Sequence, residues 1–194
     1  FDYDLDGWLD FLTTNGHIEQ EISRIQKSQN YAQPAKLYWN SRGRGGVGAF
    51  VPVPYEKVGT PLAKPLVGRG SAFGDLDADG DLDVVMTQAA GLPVILRNDQ
   101  SLGHNWIRVR LEGRQSNRDA IGAWVTVRLP GRTMHRQVMP CRGYLSSSEL
   151  PVTIGLGRES AIREVTVAWP GFPGKATTHP VALNTLTVIH QPEM

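Results

Sequence analysis

One internal repeat constrains this chain more than any other feature. The first copy reads Phe1-Asp-Tyr-Asp-Leu-Asp-Gly-Trp-Leu-Asp-Phe-Leu12, and the second reads Phe73-Gly-Asp-Leu-Asp-Ala-Asp-Gly-Asp-Leu-Asp-Val-Val85. Counted from its first aspartate, each copy has Asp at positions 1, 3, 5 and 9 and Gly at position 6. These are Asp2, Asp4, Asp6, Gly7 and Asp10, then Asp75, Asp77, Asp79, Gly80 and Asp83. Each loop runs straight into apolar residues: Leu9, Phe11 and Leu12, or Leu82, Val84, Val85 and Met86. That pattern is a turn feeding a buried strand. Each copy then meets a second apolar stretch that ends in asparagine, Asn40 or Asn98. The first aspartate lies 38 residues from that asparagine in copy one and 23 in copy two, so copy one carries 15 more. The extra residues fall between Thr13 and Lys36. There Ile18, Ile22 and Ile25, spaced 4 and 3 apart, predict a short amphipathic helix. Residues 51–66 hold Pro52, Pro54, Pro61 and Pro65 and are expected to form an ordered connection without regular structure.

The loops have the chemistry of a calcium site. Ca²⁺ takes six to eight oxygen ligands, and alternate aspartates of a tight loop can direct carboxylates to one centre. Glycine at position 6 permits the sharp turn, and the carbonyl of position 7, Trp8 or Asp81, can then face the ion. Mg²⁺ fits less well, because it dehydrates reluctantly and demands octahedral geometry. An EF-hand is excluded: position 12 is Thr13 or Met86 rather than a bidentate Glu. Aspartates can also serve only to brace turns. Four carboxylates so close together would then repel one another without compensation. The expected metal ligands are Asp2, Asp4, Asp6, Asp10, Asp75, Asp77, Asp79 and Asp83. Their role is expected to be structural, since binding to the folded state alone stabilises it.

Charge points the same way. Residues 1–99 carry 9 Lys and Arg against 13 Asp and Glu, and nine of those acids sit in the two loops. Two bound dications would bring that half to neutrality. Residues 100–194 carry 11 basic and 6 acidic residues, ten of the basic ones being Arg. Arg108 and Arg110 share a face with Trp106, and alternation predicts a solvated outer sheet face there. A patch for acidic glycans is the sharper reading. Nucleic acid is not expected, because no recognition motif accompanies the charge.

Past Asn98 the texture changes to short alternating segments. Strands are expected at 106–111, 124–129, 134–139, 152–154, 165–169 and 186–189, with turns at Gly113, Gly131, Gly143, Gly155, Gly157 and 170–174. Such spacing indicates an antiparallel sandwich or barrel. The boundary is placed between residues 99 and 105, giving one unit over 1–99 and another over 100–194.

Several signals carry little. Gly43-x-Gly45-x-x-Gly48 spells a dinucleotide fingerprint, but Pro52 and Pro54 follow where a helix is required. No nucleophile elbow or zinc-protease helix is present. The single Cys141 excludes an intrachain disulfide and is expected to be a small buried hydrophobe. Ser146, Ser147 and Ser148 are expected to form a turn. No stretch approaches the roughly 20 apolar residues of a membrane span, and Phe1 does not open a signal peptide.

The Phe-led Asp-x-Asp-x-Asp-Gly-x-x-Asp repeat resembles the FG-GAP/VCBS blades of integrin-type β-propellers. Residues 105–191 resemble an ASPIC/UnbV domain. The resemblance rests on Asn105-Trp106, Ser116-Asn-Arg-Asp-Ala-Ile-Gly-Ala123, Gly143-Tyr-Leu-Ser146, Ile154-Gly-Leu-Gly157 and Val165-Thr-Val-Ala-Trp-Pro-Gly171. Together they are similar to the cartilage acidic protein-like family. The resemblance implies the eight aspartates as calcium ligands, further propeller blades N-terminal to Phe1, an extracytoplasmic setting and an adhesion role. The expected fold is all-β: C-terminal blades of an integrin-type β-propeller plus a small antiparallel β-sandwich-like domain. The expected function is non-catalytic, calcium-dependent binding of a protein or glycan surface ligand. One rival is a structural accessory domain of a larger polypeptide. Another is a calcium-dependent carbohydrate- or polyanion-active protein, with Glu149, His135 or His17 as its acid or base.

Overall fold

The structure is a computed structural model that describes residues 1–43 and 49–193. It is nearly all β, with 38% strand against 6% helix, in several small sheets and, among the described residues, without a closed barrel. The all-β expectation is met.

Strands β1 (Phe11–Thr13), β2 (Lys36–Asn40) and β3 (Phe50–Pro52) form one antiparallel sheet in the order 1-2-3. Strands β4 (Gly68–Gly74), β5 (Asp83–Gln88) and β6 (Val94–Leu96) form a second, also antiparallel. The first aspartate loop leads into β1, and the second joins β4 to β5. The apolar residues after each loop do become strands. A small core of Ala35, Leu62, Leu66, Val84 and Met86 closes this half, with Phe1, Leu12 and Phe73 packed against it.

Two local expectations are corrected here. The helix of the insertion, α1 (Ile22–Ile25), is a single turn. Ile22 is buried, but Ile18 and Ile25 are 87% and 77% exposed, so no apolar seam forms. Four residues are too few to align three isoleucines on one face. Residues 51–66 are more regular than expected. Besides the end of β3 they hold two one-turn helices, α2 (Tyr55–Val58) and α3 (Thr60–Ala63). Their prolines occupy compatible places: Pro54 is the N-cap of α2 and Pro61 lies in the first turn of α3, where its missing N–H has no partner to lose. The glycine motif at 43–48 lies largely outside the described residues.

The remaining strands form a two-layer sandwich. One layer orders β10 (Val152–Gly157), β7 (Asn105–Glu112) and β13 (Leu186–His190). The other orders β12 (Ala176–Thr178), β11 (Glu164–Ala168), β8 (Trp124–Leu129) and β9 (Arg132–Gln137). Alternate residues of both layers meet in one core: Ile107, Val109 and Leu111 on one side, Val125, Val127, Val165 and Val167 on the other. The pattern is what a half-buried strand requires. One pairing departs from the antiparallel expectation, because β13 runs parallel to β7. Gly155, read as a turn glycine, lies inside β10. A Cβ there would stand 2.3 Å from the backbone of Leu5, so the strand needs glycine where the first loop crosses it. Cys141 is exposed, not buried. It follows β9 in a segment that leaves the sandwich, where no apolar layer receives it.

Candidate metal centres

The two aspartate loops share one backbone design. Position 4 is left-handed in both, Leu5 with φ 57° and Ala78 with φ 65°. Position 6 is glycine with φ 92° in Gly7 and 101° in Gly80, a region that a side chain disfavours. Position 9 closes each loop. Asp10 accepts the backbone N–H of Tyr3 on Oδ2 at 3.1 Å and that of Asn40 on Oδ1 at 2.8 Å. Asp83 accepts those of Leu76 and Asn98, both at 2.8 Å. The two asparagines that mark the repeat in sequence are therefore its clasp points in space. The lead aromatics meet as well: Phe1 and Phe73 stack with ring centroids 5.6 Å apart.

Within each loop, three carboxylates converge. Asp2, Asp4 and Asp10 each bring an oxygen within 4.8 Å of the others, and all three are buried. Asp75, Asp77 and Asp79 do the same in the second loop, where Asp77 and Asp79 are exposed. Asp6 stays outside the first group; its oxygens take the N–H of Trp8 at 2.9 Å and Arg42 at 3.5 Å. Asp83 stays outside the second, held by the two backbone contacts above.

The first group is short of positive charge. Asp2 is pushed up to about 7 by burial and then by Asp10, Asp4 and Asp6. Asp10 also rises to about 7 through burial, against the lowering effect of its backbone hydrogen bonds. Asp4 is raised by burial and by Asp6. Asp2 Oδ1 is buried without a hydrogen-bond partner. A buried, unpartnered carboxylate oxygen beside two more carboxylates has the donor chemistry for a hard cation. In the second loop Asp81, at position 7, is also buried and is raised to about 8 by burial and by Asp79. The sequence reading used only its carbonyl.

The sandwich frames both loops with basic side chains. Arg132 donates to the carbonyl of Asp6 at 3.0 Å, and Arg136 to that of Gly7 at 2.9 Å. His104 Nδ1 donates to the carbonyl of Asp4 at 2.6 Å. The backbone N–H of Gly157 donates to the carbonyl of Leu5 at 2.9 Å. Arg108 of β7 is ion-paired with both Asp75 and Glu149. The expected solvated face at Arg108 and Arg110 is therefore corrected for Arg108, which is buried. Alternation placed it on the outer face rightly, but the second loop covers that face. Ser146 and Ser148 do more than turn the chain. Their hydroxyls accept the N–H groups of Ser71 at 2.8 Å and Phe73 at 3.2 Å along β4.

The residues weighed as acid or base have separate partners. Glu149 holds Arg108, His135 shares a hydrogen bond with Thr126, and His17 accepts the N–H of Glu19.

Two aspartate loops on small sheets, packed against an Arg-bearing sandwich, are the arrangement that the fold and the site define. Residues 2–86 match the FG-GAP-like repeat, and residues 113–194 match the ASPIC and UnbV family. The chain is 30% identical over 133 residues to cartilage acidic protein 1 of Mus musculus, which covers 65% of this chain. It spans about a fifth (20%) of that relative's length. The matched stretches are the ones whose motifs resemble these two families. Among the described residues no helix is long and apolar enough to cross a membrane.

Proposed function

We propose that this chain is a calcium-stabilised, non-catalytic binding module that works outside the cytoplasm. The observation that carries the reading is the buried trio of Asp2, Asp4 and Asp10, with Asp2 Oδ1 left without a partner. Asp2, Asp4 and Asp10, with Asp6 beside them, would hold one ion; Asp75, Asp77 and Asp79, with Asp83 closing the loop, would hold the other. Bound calcium would neutralise the carboxylates that burial disfavours and fix the loops against the sandwich. The ion acts as a staple here, not as a Lewis acid: the loops are closed by backbone clasps and framed by arginines on main-chain carbonyls.

Residues 1–99 are assigned to the blades and 100–194 to the sandwich, and among the described residues no sheet takes strands from both. An adhesion role outside the cell is supported by the company these two families keep in extracellular proteins. The partner is a protein or glycan surface.

Thermal unfolding in excess Ca²⁺ and in chelator tests the reading. A site saturated 100-fold above its dissociation constant should add about 2.7 kcal/mol. Equal melting temperatures in the two conditions, with no metal retained by the protein, would remove calcium from the account.

A further inference from the structure

Asp2 and Asp75 open the two loops, and their surroundings differ in one respect. Asp2 Oδ2 accepts the N–H of Gly7 at 2.9 Å. The nearby arginines, Arg132 and Arg136, direct hydrogen bonds to main-chain carbonyls. Asp75 Oδ2 instead meets the guanidinium of Arg108 directly, and the other arm of that guanidinium holds Glu149. The side chains of Arg108 and Asp75 are only 7% and 5% exposed. The second oxygen of Asp75, Oδ1, is buried and has no hydrogen-bond partner. Asp75 still brings an oxygen within 4.8 Å of Asp77 and Asp79.

Building on the calcium reading above, we propose that Arg108 is an internal cation that competes with calcium for Asp75 and so makes the second loop the weaker site. A fixed positive charge this well shielded from water acts at low effective dielectric and repels an incoming dication. Glu149 moderates the effect, because it shares the guanidinium and returns negative charge to the loop. The same pair ties β7 to the second loop, so calcium at that loop and the Arg108 contact oppose each other. Such coupling is reciprocal, and factors of about ten are typical.

The whole chain, stripped of metal, is titrated with Ca²⁺ by isothermal calorimetry. Two classes of site are expected. Asp4→Ala should abolish the tighter class and Asp79→Ala the weaker. Arg108→Met should tighten the weaker class by about tenfold. Glu149→Gln should loosen it several-fold, leaving the tighter class unchanged. Arg110→Met, which removes an exposed charge from the same strand, should change neither. Equal affinities in the native chain, or unchanged binding in Glu149→Gln, would overturn the proposal while leaving the calcium reading intact. An equal gain in Arg110→Met would overturn it too, by showing a general charge effect. The Glu149→Gln arm decides the matter even if Arg108→Met does not fold. No calcium uptake at all would overturn both readings.

Discussion

Asp83 reaches across the second repeat to accept the backbone N–H of Asn98 at 2.8 Å, as Asp10 does for Asn40 at 2.8 Å in the first. Position 9 of each loop is thus a main-chain clasp before any ion is considered. Asp83 is buried, and its other oxygen takes the N–H of Leu76. Removing it strands two donors. Asp83→Ala should cost about 3 kcal/mol in chelator as well as in calcium, since hydrogen bonds to a charged group contribute about 1.5–3 kcal/mol each. Asp79→Ala should behave oppositely: little loss in chelator and a smaller gain from calcium. Denaturant unfolding of both variants with and without Ca²⁺ checks this. If Asp83→Ala were silent in chelator, the clasp would not be a source of stability.

Gly80 answers to two constraints. Its φ of 101° suits glycine alone, and a Cβ there would lie 2.0 Å from the indole of Trp106. The turn of the second loop is therefore also the seat on which a sandwich residue rests. Gly80→Ala should destabilise by roughly 3 kcal/mol, since strained backbone costs about 1–3 kcal/mol before the clash is added. Near-ultraviolet circular dichroism should change with it as the indole is displaced. A stable variant with an unaltered aromatic spectrum would contradict the packing.

The repeat, the strands and the sandwich core were legible because each is a local pattern. Strand β8 is bounded as its alternation predicts, from Trp124 to Leu129. The closing asparagines were legible as repeat marks, although not as clasp points. What escaped the sequence was contact between distant segments. Nothing in the residues around Arg108 tells that an acidic loop opening 33 positions earlier, at Asp75, covers it, and a charged residue on an outward face reads as solvated. The opposite charges of the two halves were the one available signal, because they allow Arg108, Arg132 and Arg136 to be read as partners of the loops. Ile18 and Ile25 misled for a related reason. Their spacing suits a helix, but no partner surface covers them, so only Ile22 is buried.

Gln191 anchors the last strand through one oxygen. Its Oε1 accepts the backbone N–H groups of Arg114, Gln115 and Ser116, each at 2.9 Å, and the hydroxyl of Ser116 at 3.0 Å. The residue is fully buried. Because β13 pairs in parallel with β7, no tight turn holds the two together, and this knot does so instead. Gln191→Ala should lower stability by about 2–4 kcal/mol, since four part-buried hydrogen bonds would lose their shared acceptor. Hydrogen exchange at residues 114–116 should quicken in the variant. Unchanged exchange there would show that other groups satisfy these amides.

Acidity should act in opposite senses on the metal-free and calcium-loaded protein. Asp2 and Asp10 titrate in the fold at about 7, against 3.8 in the ordinary carboxyl, because burial and neighbouring carboxylates disfavour their charged forms. The fold therefore holds these protons more tightly than the unfolded chain does. Their contribution to stability is complete below about pH 4 and is lost as pH rises through about 7. In chelator, the melting temperature should fall between pH 5 and pH 7.5. Calcium needs the deprotonated ligands and competes with those same protons, so the stabilisation it gives should grow over that interval. Melting curves at several pH values, each with and without Ca²⁺, measure both trends together. A chelated protein that became more stable toward pH 7.5 would show that the buried carboxylates are already compensated by charges within the chain.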